Sequence, residues 1–160
     1  MLNITVICIG KLKESYLRSA CDEYQKRLST LCRLNIIELM PEKLSDNPSP
    51  KEIESALKNE GKRITEKIPQ GSAVITMCIE GKQLSSNELS EKLQSLAVSG
   101  TSAVTFIIGG SFGLSDEVKQ KSTVRLSVSK MTFPHQLFRV MLLEQIYRAL
   151  QIELGTKYHK

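Results

Sequence analysis

The segment 126–160 constrains the fold of this chain more than any other stretch of its sequence. It predicts a strand, a tight loop, one long apolar helix and a polar, basic tail. Pro134 separates the loop from the helix, because a proline restricts the preceding residue to extended conformations but is tolerated in a first helical turn. We therefore expect Phe133 to be extended and a helix to cover about 134–154, with Gly155 at its C-cap.

Apolar residues cover most of the circumference of this predicted helix. One stripe consists of Leu137, Val140, Met141, Leu150 and Leu154, and a second consists of Phe138, Leu142, Ile146, Ala149 and Ile152. A helix of this kind requires burial on two sides. One side can pack on the sheet of its own domain. We expect the other to pack against a second copy of the chain, because a chain of this size has few further elements to cover it. A central helix in a monomer is the alternative.

Strands and helices alternate along the rest of the chain. The strands are predicted at 2–9, 34–40, 72–79, 103–108 and 123–128, and their nearly continuous apolar runs are typical of a parallel sheet that is buried on both faces. The helices are predicted at 13–31, 51–68, 86–96 and 115–121, with Ser86 and Ser115 as caps and with Gly61 weakening the second helix. The pattern predicts an α/β fold with a mainly parallel sheet and helices on both faces, in a single domain over 1–160.

Charge, cysteine spacing and hydropathy restrict the class of protein. The formal net charge is +5, which suits a polyanionic partner but is equally compatible with plain solubility. No window approaches the roughly 18 apolar residues of a membrane span, and the N-terminus predicts a strand rather than a signal peptide. The cysteines lack CxxC or metal-ligand spacing, so we expect no metal, no disulfide framework and a reducing cytoplasm. They are Cys8, Cys21, Cys32 and Cys78.

Three predicted strand ends carry unusual sequences. They are MCIEG at 77–81, GGSFG at 109–113 and VSKMTF at 128–133. In open α/β sheets, ligands bind beyond the carboxyl ends of the strands, and glycines there allow the backbone to approach a ligand closely. Taken alone, GGSFG is better explained as a tight turn between a strand and a helix. It matches neither GxGxxG nor the P-loop, so neither a dinucleotide site nor a Walker NTPase is indicated.

Cationic and aromatic side chains gather at the two ends of segment 126–160. They are Lys130, His135, Arg139, Arg148, Lys157, Tyr158, His159 and Lys160. Each also has a structural explanation. His135 could bond to a loop, Glu144 and Arg148 could form a surface ion pair at i,i+4, and the last residues could be a frayed tail. The spacing reveals neither a Ser/His/Asp set nor a pair of carboxylates.

These residues carry a family resemblance over the full length of the chain. The sequence resembles the SPOUT class of S-adenosylmethionine-dependent methyltransferases, and within it the small bacterial enzymes that methylate large-subunit ribosomal RNA. The motifs are CIEGK at 78–82, FIIGGSFGLS at 106–115, LSVSKMTFPHQLFRVMLLEQIYRA at 126–149 and the terminal YHK at 158–160. The resemblance implies a C-terminal trefoil knot, which general rules of chain connectivity would have excluded. It also implies a homodimer packed through the last helix.

The resemblance further implies where the cofactor binds. S-adenosylmethionine would lie bent in the knotted loops, without a metal. The residues that match the cofactor-binding motifs are Met77, Gly109, Val128, Ser129, Lys130, Met131, Thr132 and Phe133. Met77 stands where the family usually has leucine, and this exchange keeps an apolar wall.

The implied substrate is a pseudouridine of 23S ribosomal RNA, methylated at N3 in the assembled ribosome. Arg139, Arg148, Tyr158 and His159 are our candidates for orienting the nucleotide and stabilising its anion. His135 and His159 are the candidates for accepting a proton near neutral pH, although neither is required as a base. Two other classes remain open: a non-catalytic factor that binds or assembles the ribosome, and a nucleotide-binding enzyme acting on a small molecule.

Overall fold

The computed structural model of the chain describes residues 1–159, and Lys160 of the predicted C-terminal cluster lies outside the described residues. Within them, strands and helices alternate as the sequence predicts. The strands are β1 (Asn3–Ile9), β2 (Arg33–Leu39), β3 (Ala73–Gln83), β4 (Ala103–Ile108) and β5 (Val124–Ser127). The helices are α1 (Ser15–Leu28), α2 (Pro50–Lys67), α3 (Ser86–Val98), α4 (Asp116–Gln120) and α5 (His135–Glu153).

The strands form one parallel sheet in the order β2-β1-β4-β3-β5. Its one irregularity among the described pairings lies between β3 and β5, where the register shifts between Met77 and Lys82. The predicted strand 72–79 therefore does not stop at Ile79. It bulges and continues to Gln83. The bulge leaves residues 78–81 outside the register with β5, at the edge where the neighbouring strands end.

Helices cover both faces of the sheet, as predicted, because successive strand residues point to opposite faces. On β1, Val6 and Cys8 pack into a core with α1, α3 and α5. The alternate residues Ile7 and Ile9 pack with α2 and α4. Each face of β1 is therefore covered by hydrocarbon, which explains why its sequence shows no polar alternation.

Helix α5 lies against both α1 and α3 and faces the sheet. Its fully buried apolar residues are Leu142, Leu143, Ile146, Ala149 and Leu150. Leu137 and Leu154, from the predicted stripes, remain exposed. Packing within one chain therefore buries much of the apolar surface of α5. Among the helices of residues 1–159, none combines the length and the apolar character needed to cross a bilayer.

The ends of α5 follow the predicted signals. The helix begins directly after Pro134, and Phe138 N–H donates to the Pro134 carbonyl at 2.9 Å. At the other end the C-cap is Leu154, one residue before the predicted Gly155. Gly155 follows it with φ +66°, and its N–H donates to the Ile152 carbonyl at 2.9 Å. Thr156 N–H donates to the Gln151 carbonyl at 3.2 Å. These two bonds satisfy carbonyls that the helix leaves open, and they turn the chain back toward α5.

The N-caps of α3 and α4 can be compared with the predicted ones. Ser115 caps α4 as predicted, accepting a bond from Val118 N–H at 3.3 Å. The expectation that Ser86 caps α3 is wrong by one residue. Ser85 is the cap, and it forms a reciprocal capping box with Glu88. Two adjacent serines carry the same local signal, and only Ser85 has a glutamate three residues later.

Gly61 explains how α2 approaches α4. It is buried, and a Cβ added there would lie 2.7 Å from Ser115 Oγ and 3.1 Å from Val118 Cγ2. Ser115 cannot simply rotate away, because its hydroxyl accepts the capping bond of α4. The glycine that weakens α2 as an isolated helix therefore permits its contact with the next element.

We expect Gly61→Ala to lower the free energy of unfolding by about 1–3 kcal/mol, the usual cost of overpacking. Helix propensity alone would give the opposite sign, about 1 kcal/mol of stabilisation. Urea denaturation measures the difference. Asn59→Ala, at an exposed position of the same helix, is the control and should change stability by no more than about 0.5 kcal/mol. A Gly61→Ala variant as stable as wild type would contradict this account of the contact.

Candidate functional site

A pocket of about 640 Å³ opens beyond the carboxyl ends of β3, β4 and β5. Three segments form it: the bulge of β3, the turn 109–114 and the loop between β5 and α5. These are the three strand ends that the sequence singled out. Parallel strands bring them to one edge although they are far apart along the chain, and this edge is where α/β sheets bind ligands.

Most of the predicted cofactor residues lie in the wall of this pocket. They are Met77, Gly109, Val128, Ser129, Met131, Thr132 and Phe133. Lys130 belongs to the same loop but is not among the described lining residues. Two further residues line the pocket that were not predicted: Leu126, and Phe138, which lies one helical turn after Pro134. The spacing from Pro134 to Phe138 was the available signal, since residues four apart share a helix face.

The GGSFG segment is both a tight turn and a pocket wall. Gly113 N–H donates to the Gly110 carbonyl at 3.0 Å, and Gly113 has φ +82°. A Cβ added at Gly109 would collide with the carbonyl of Gly113. The two interpretations left open by the sequence are therefore compatible. The turn is tight because its backbone folds back on itself, and that folding exposes backbone polar groups to the pocket.

The loop after β5 is held by its own serines. Ser127 Oγ donates to the Ser129 carbonyl at 3.0 Å, and Met131 N–H donates to Ser129 Oγ at 3.0 Å. The rim around it is unusually apolar for a surface. Met131 is 77% exposed and Ile79 of the bulge is 63% exposed. Phe112, Val128 and Phe133 are also exposed. Contiguous exposed apolar groups of this kind mark a binding surface.

An ion pair also lies at the rim. Lys119 Nζ on α4 donates to Glu80 Oε1 in the bulge at 2.5 Å, and both residues line the pocket. The hydrogen bond from Lys119 holds the pKa of the Glu80 carboxyl below its usual range. No local signal in the sequence predicts this pair, because the two residues belong to separate elements that meet only through the tertiary fold.

His135 lines the pocket from the first turn of α5. Its Nε2 lies close to the end of β1, 3.9 Å from the position of a Cβ added at Gly10. Burial, followed by the positive charges of Arg139 and Lys13, lowers the pKa of His135 below its ordinary value. The imidazole is therefore neutral at pH 7 and can accept a proton, whereas it supplies no positive charge to an anion.

Arg139 occupies a different position from the one expected of a nucleotide ligand. It is buried, and its guanidinium donates to Glu38 Oε2 at 2.7 Å and to the Gly10 carbonyl at 3.0 Å. It is not among the described residues that line the pocket. Its donors join α5 to the carboxyl ends of β1 and β2, so this position supports the orientation of α5 rather than direct contact with a ligand.

The other predicted catalytic residues, Arg148, Tyr158 and His159, form a separate cluster together with Glu144, which we call the tail cluster. Arg148 Nε donates to Glu144 Oε1 at 2.8 Å, and Tyr158 OH donates to Glu144 Oε2 at 2.8 Å. The Arg148 guanidinium lies 4.8 Å from the centroid of the Tyr158 ring and 3.5 Å from His159 Nδ1. The predicted ion pair is present, and Tyr158 is packed on the helix rather than frayed.

The tail cluster is remote from the pocket within one chain. His135 and Arg148 are on the same helix and lie about 20 Å apart along its axis, because each helical residue rises about 1.5 Å. The structure thus brings His135 together with the predicted cofactor residues. It brings Arg148, Tyr158 and His159 together with each other, and it leaves the two groups apart.

Comparison with known proteins identifies the family of the chain. The family model described as "predicted SPOUT methyltransferase" matches residues 2–159. The chain is 54% identical over 159 residues to the ribosomal RNA large subunit methyltransferase H of Clostridioides difficile (strain 630) and to that of Clostridium botulinum (strain Alaska E43 / Type E3). It is 53% identical to ribosomal RNA large subunit methyltransferase H 1 of Clostridium perfringens (strain SM101 / Type A). Each alignment covers 99% of this chain and 100% of the relative.

The lowered pKa of His135 predicts a pH dependence of stability. A histidine in the unfolded chain has a pKa of about 6.5, above that of folded His135. The unfolded chain therefore binds the proton more readily, and acid favours unfolding. The contribution is fully present above about pH 6.5 and is lost as the pH falls through the folded pKa. Between about pH 7.5 and 5.5, we expect His135→Gln to lose less unfolding free energy than wild type.

Chemical denaturation at a series of pH values measures this difference. Asn59→Ala is the control, because it changes an exposed position and removes no titratable group. It should keep the wild-type dependence of unfolding free energy on pH. An equal dependence of unfolding free energy on pH in wild type and His135→Gln would show that His135 has the same pKa in the folded and unfolded chain.

Proposed function

Because the chain belongs to the SPOUT methyltransferase family, we propose that it transfers a methyl group from S-adenosylmethionine to N3 of a pseudouridine in 23S ribosomal RNA. The observation that carries this proposal is the pocket at the carboxyl ends of β3, β4 and β5, which is walled by the segments that hold the family motifs. Support for an RNA substrate comes from the name of the relatives, which are large-subunit ribosomal RNA methyltransferases over their entire length.

The residues of the pocket fit the proposed cofactor. Its volume of about 640 Å³ lies within the range of small-molecule sites. Met77, Leu126 and Phe138 provide an apolar surface suited to an adenine ring. The backbone of turn 109–113 and of loop 127–133 provides donors and acceptors for its polar edge. When bound, S-adenosylmethionine supplies an activated methyl group and is converted to S-adenosylhomocysteine.

The protein's task is to orient the nucleotide and to favour its anion. The N3–H group of a pseudouridine is a weakly acidic imide, and N3 is nucleophilic once this proton is lost. Positive charge held near the base stabilises that anion. Arg148 carries such a charge beside Tyr158 and His159. His135 is neutral and near the pocket, so it can take up the proton, whereas Arg139 acts by holding α5 in place. Orientation of this kind can account for about 7–11 kcal/mol of barrier reduction in the best cases.

A homodimer is part of the proposal. The tail cluster and the pocket lie about 20 Å apart along α5, so one chain cannot bring both to the same nucleotide in this conformation. A two-fold pair packed through α5 could place the tail of one subunit beside the pocket of the other. The exposed Leu137 and the half-buried Val140 and Met141, which lie three and four residues after it on α5, supply an apolar surface for such a contact.

Two further features complete the proposal. We propose that the segment after β5 passes through the loops beside it to form a trefoil knot, which would fix the cofactor loops to one another. We also propose that the substrate is the assembled ribosome in the cytoplasm. A shape formed by assembled RNA would supply the specificity that base contacts do not.

Methyl transfer to ribosomes that lack the modification tests the proposal directly. With labelled S-adenosylmethionine, we expect label at N3 of one pseudouridine in intact ribosomes and much less in free 23S ribosomal RNA. Efficient labelling of the free RNA would contradict recognition of the assembled particle. Absence of label, with no cofactor binding by calorimetry, would overturn the enzyme and favour a non-catalytic ribosome-binding factor.

Gly109→Ala tests whether the pocket holds the cofactor. The added methyl group must displace the Gly113 carbonyl, so it reshapes the wall of the pocket. We expect the affinity for S-adenosylmethionine to fall by about tenfold or more, which calorimetry measures. Gly110→Ala is the matched control, because its Cβ would meet only the Ile9 side chain, at 3.3 Å. Thermal unfolding confirms that both variants are folded. Equal affinities in the two variants would place the cofactor elsewhere.

A further inference from the structure

Three parts of the chain meet at the carboxylate of Glu144. Arg148 approaches it along α5, with Nε 2.8 Å and Nη2 2.7 Å from Oε1. Tyr158 approaches from the C-terminal tail, with its hydroxyl 2.8 Å from Oε2. The hydroxyl of Tyr24 approaches from α1, and burial together with the Glu144 carboxylate raises the pKa of Tyr24. Both oxygens of Glu144 are therefore engaged, and the side chain is only 18% exposed.

Aromatic packing supports the same arrangement. The ring of Tyr147 lies between Tyr24 and Tyr158, with centroid distances of 6.4 and 4.8 Å and edge-to-face geometry in both pairs. Arg27 of α1 lies over the rings of Tyr24 and Tyr147. The tail is thus fixed in two ways: its ring packs on Tyr147, and its hydroxyl is directed to Glu144.

We propose that Glu144 is a positioning residue for methyl transfer, which holds the Arg148 guanidinium and the Tyr158 side chain in the arrangement that receives the target nucleotide. This inference rests on the proposed function, in which Arg148 and Tyr158 meet the nucleotide. Glu144 itself need not touch the substrate. It acts by fixing the direction of two groups that otherwise have several rotatable bonds each.

The chemistry of the site favours a carboxylate over an amide. An ionised carboxylate only accepts hydrogen bonds, and its two oxygens can serve the guanidinium and the phenol at once. A glutamine would turn an NH₂ group toward one of these donors. Burial alone would raise the pKa of Glu144, but the hydroxyls of Tyr24 and Tyr158 and the Arg148 guanidinium outweigh burial and lower it. Glu144 is therefore ionised at neutral pH.

Kinetics on ribosomes test the inference. We expect Glu144→Gln to lower kcat by about ten- to a hundredfold, the range for losing charge-assisted hydrogen bonds. The affinity for S-adenosylmethionine should stay within about twofold of wild type, because Glu144 lies about 14 Å along α5 from His135 at the pocket. Glu144→Asp, which keeps the charge, should recover part of the loss and carries the same test if the glutamine variant does not fold.

A matched control separates this effect from general loss of charge. Glu23 also pairs with an arginine at i,i+4, with Arg27 Nε 3.0 Å from its carboxylate, but its side chain is 53% exposed and does not bond to Tyr158. We expect Glu23→Gln to retain wild-type kcat. A loss in this variant equal to that in Glu144→Gln would overturn the specific role of Glu144.

A double-mutant cycle asks whether Glu144 acts through Tyr158. If it does, the effect of Glu144→Gln on kcat should be at least about threefold smaller in a Tyr158→Phe background, since residues in one hydrogen-bond network are not additive. A purely structural role would leave the two effects additive, and additivity would overturn the inference.

A spectroscopic titration reports the geometry without any activity. The chain contains four tyrosines and no tryptophan, so tyrosinate absorbance is not obscured. The Glu144 carboxylate contributes to the raised pKa of Tyr158, so Glu144→Gln should lower it toward the ordinary value, with Tyr158→Phe identifying the signal. An unchanged Tyr158 titration would show that the bond is absent.

The failure of the proposed function and the failure of this inference give different results. If wild type itself transferred no methyl group, the proposed function would be wrong. An active wild type with an equally active Glu144→Gln would overturn this inference alone.

Discussion

The burial of α5 between α1 and α3 is the interaction on which the rest of the structure depends. A helix with apolar residues on most of its surface cannot face water, and the sheet with its two neighbouring helices covers the larger part of it. The buried Arg139 then fixes the direction of α5, because its guanidinium reaches Glu38 and Gly10 at the carboxyl ends of β2 and β1. The position of α5 consequently sets the position of His135 and of the loop that precedes it.

The pocket follows from the same arrangement. Parallel strands end at a common edge, so three segments that are distant in sequence become neighbours. The bulge of β3 and the tight turn after β4 widen this edge, while α5 closes it with Phe138. A glycine is required in this turn because a side chain would not fit. Gly109 has no side chain because the carbonyl of Gly113 occupies that space, and the resulting turn offers backbone groups rather than side chains to a ligand.

The sequence predicted the α/β fold, the parallel sheet and most of the pocket wall, because these depend on local signals: apolar runs, Pro134, the glycine turn and the family motifs. It did not predict the continuation of β3 beyond Ile79, since a bulge depends on the register with β5. It also could not place Arg139, because a cation four residues after His135 can face a ligand or a carboxylate of the sheet, and only the position of Glu38 decides. The convergence of Tyr24 and Tyr158 on Glu144 depends on tertiary packing for the same reason.

The distribution of charge along α5 connects fold with function. At its first turn the cation Arg139 is neutralised by Glu38, and the neighbouring histidine is neutral, so this end presents an uncharged wall to the proposed cofactor. At its last turns Arg148 is held by Glu144 under the ring of Tyr158. A single rigid helix thus keeps its pocket-facing end and the aromatic tail cluster at a fixed separation of about 20 Å. Because a rigid helix cannot shorten, a nucleotide that must meet both requires either a second chain or a displaced tail. The bond from Tyr158 to Glu144 opposes displacement of the tail, which favours the second chain.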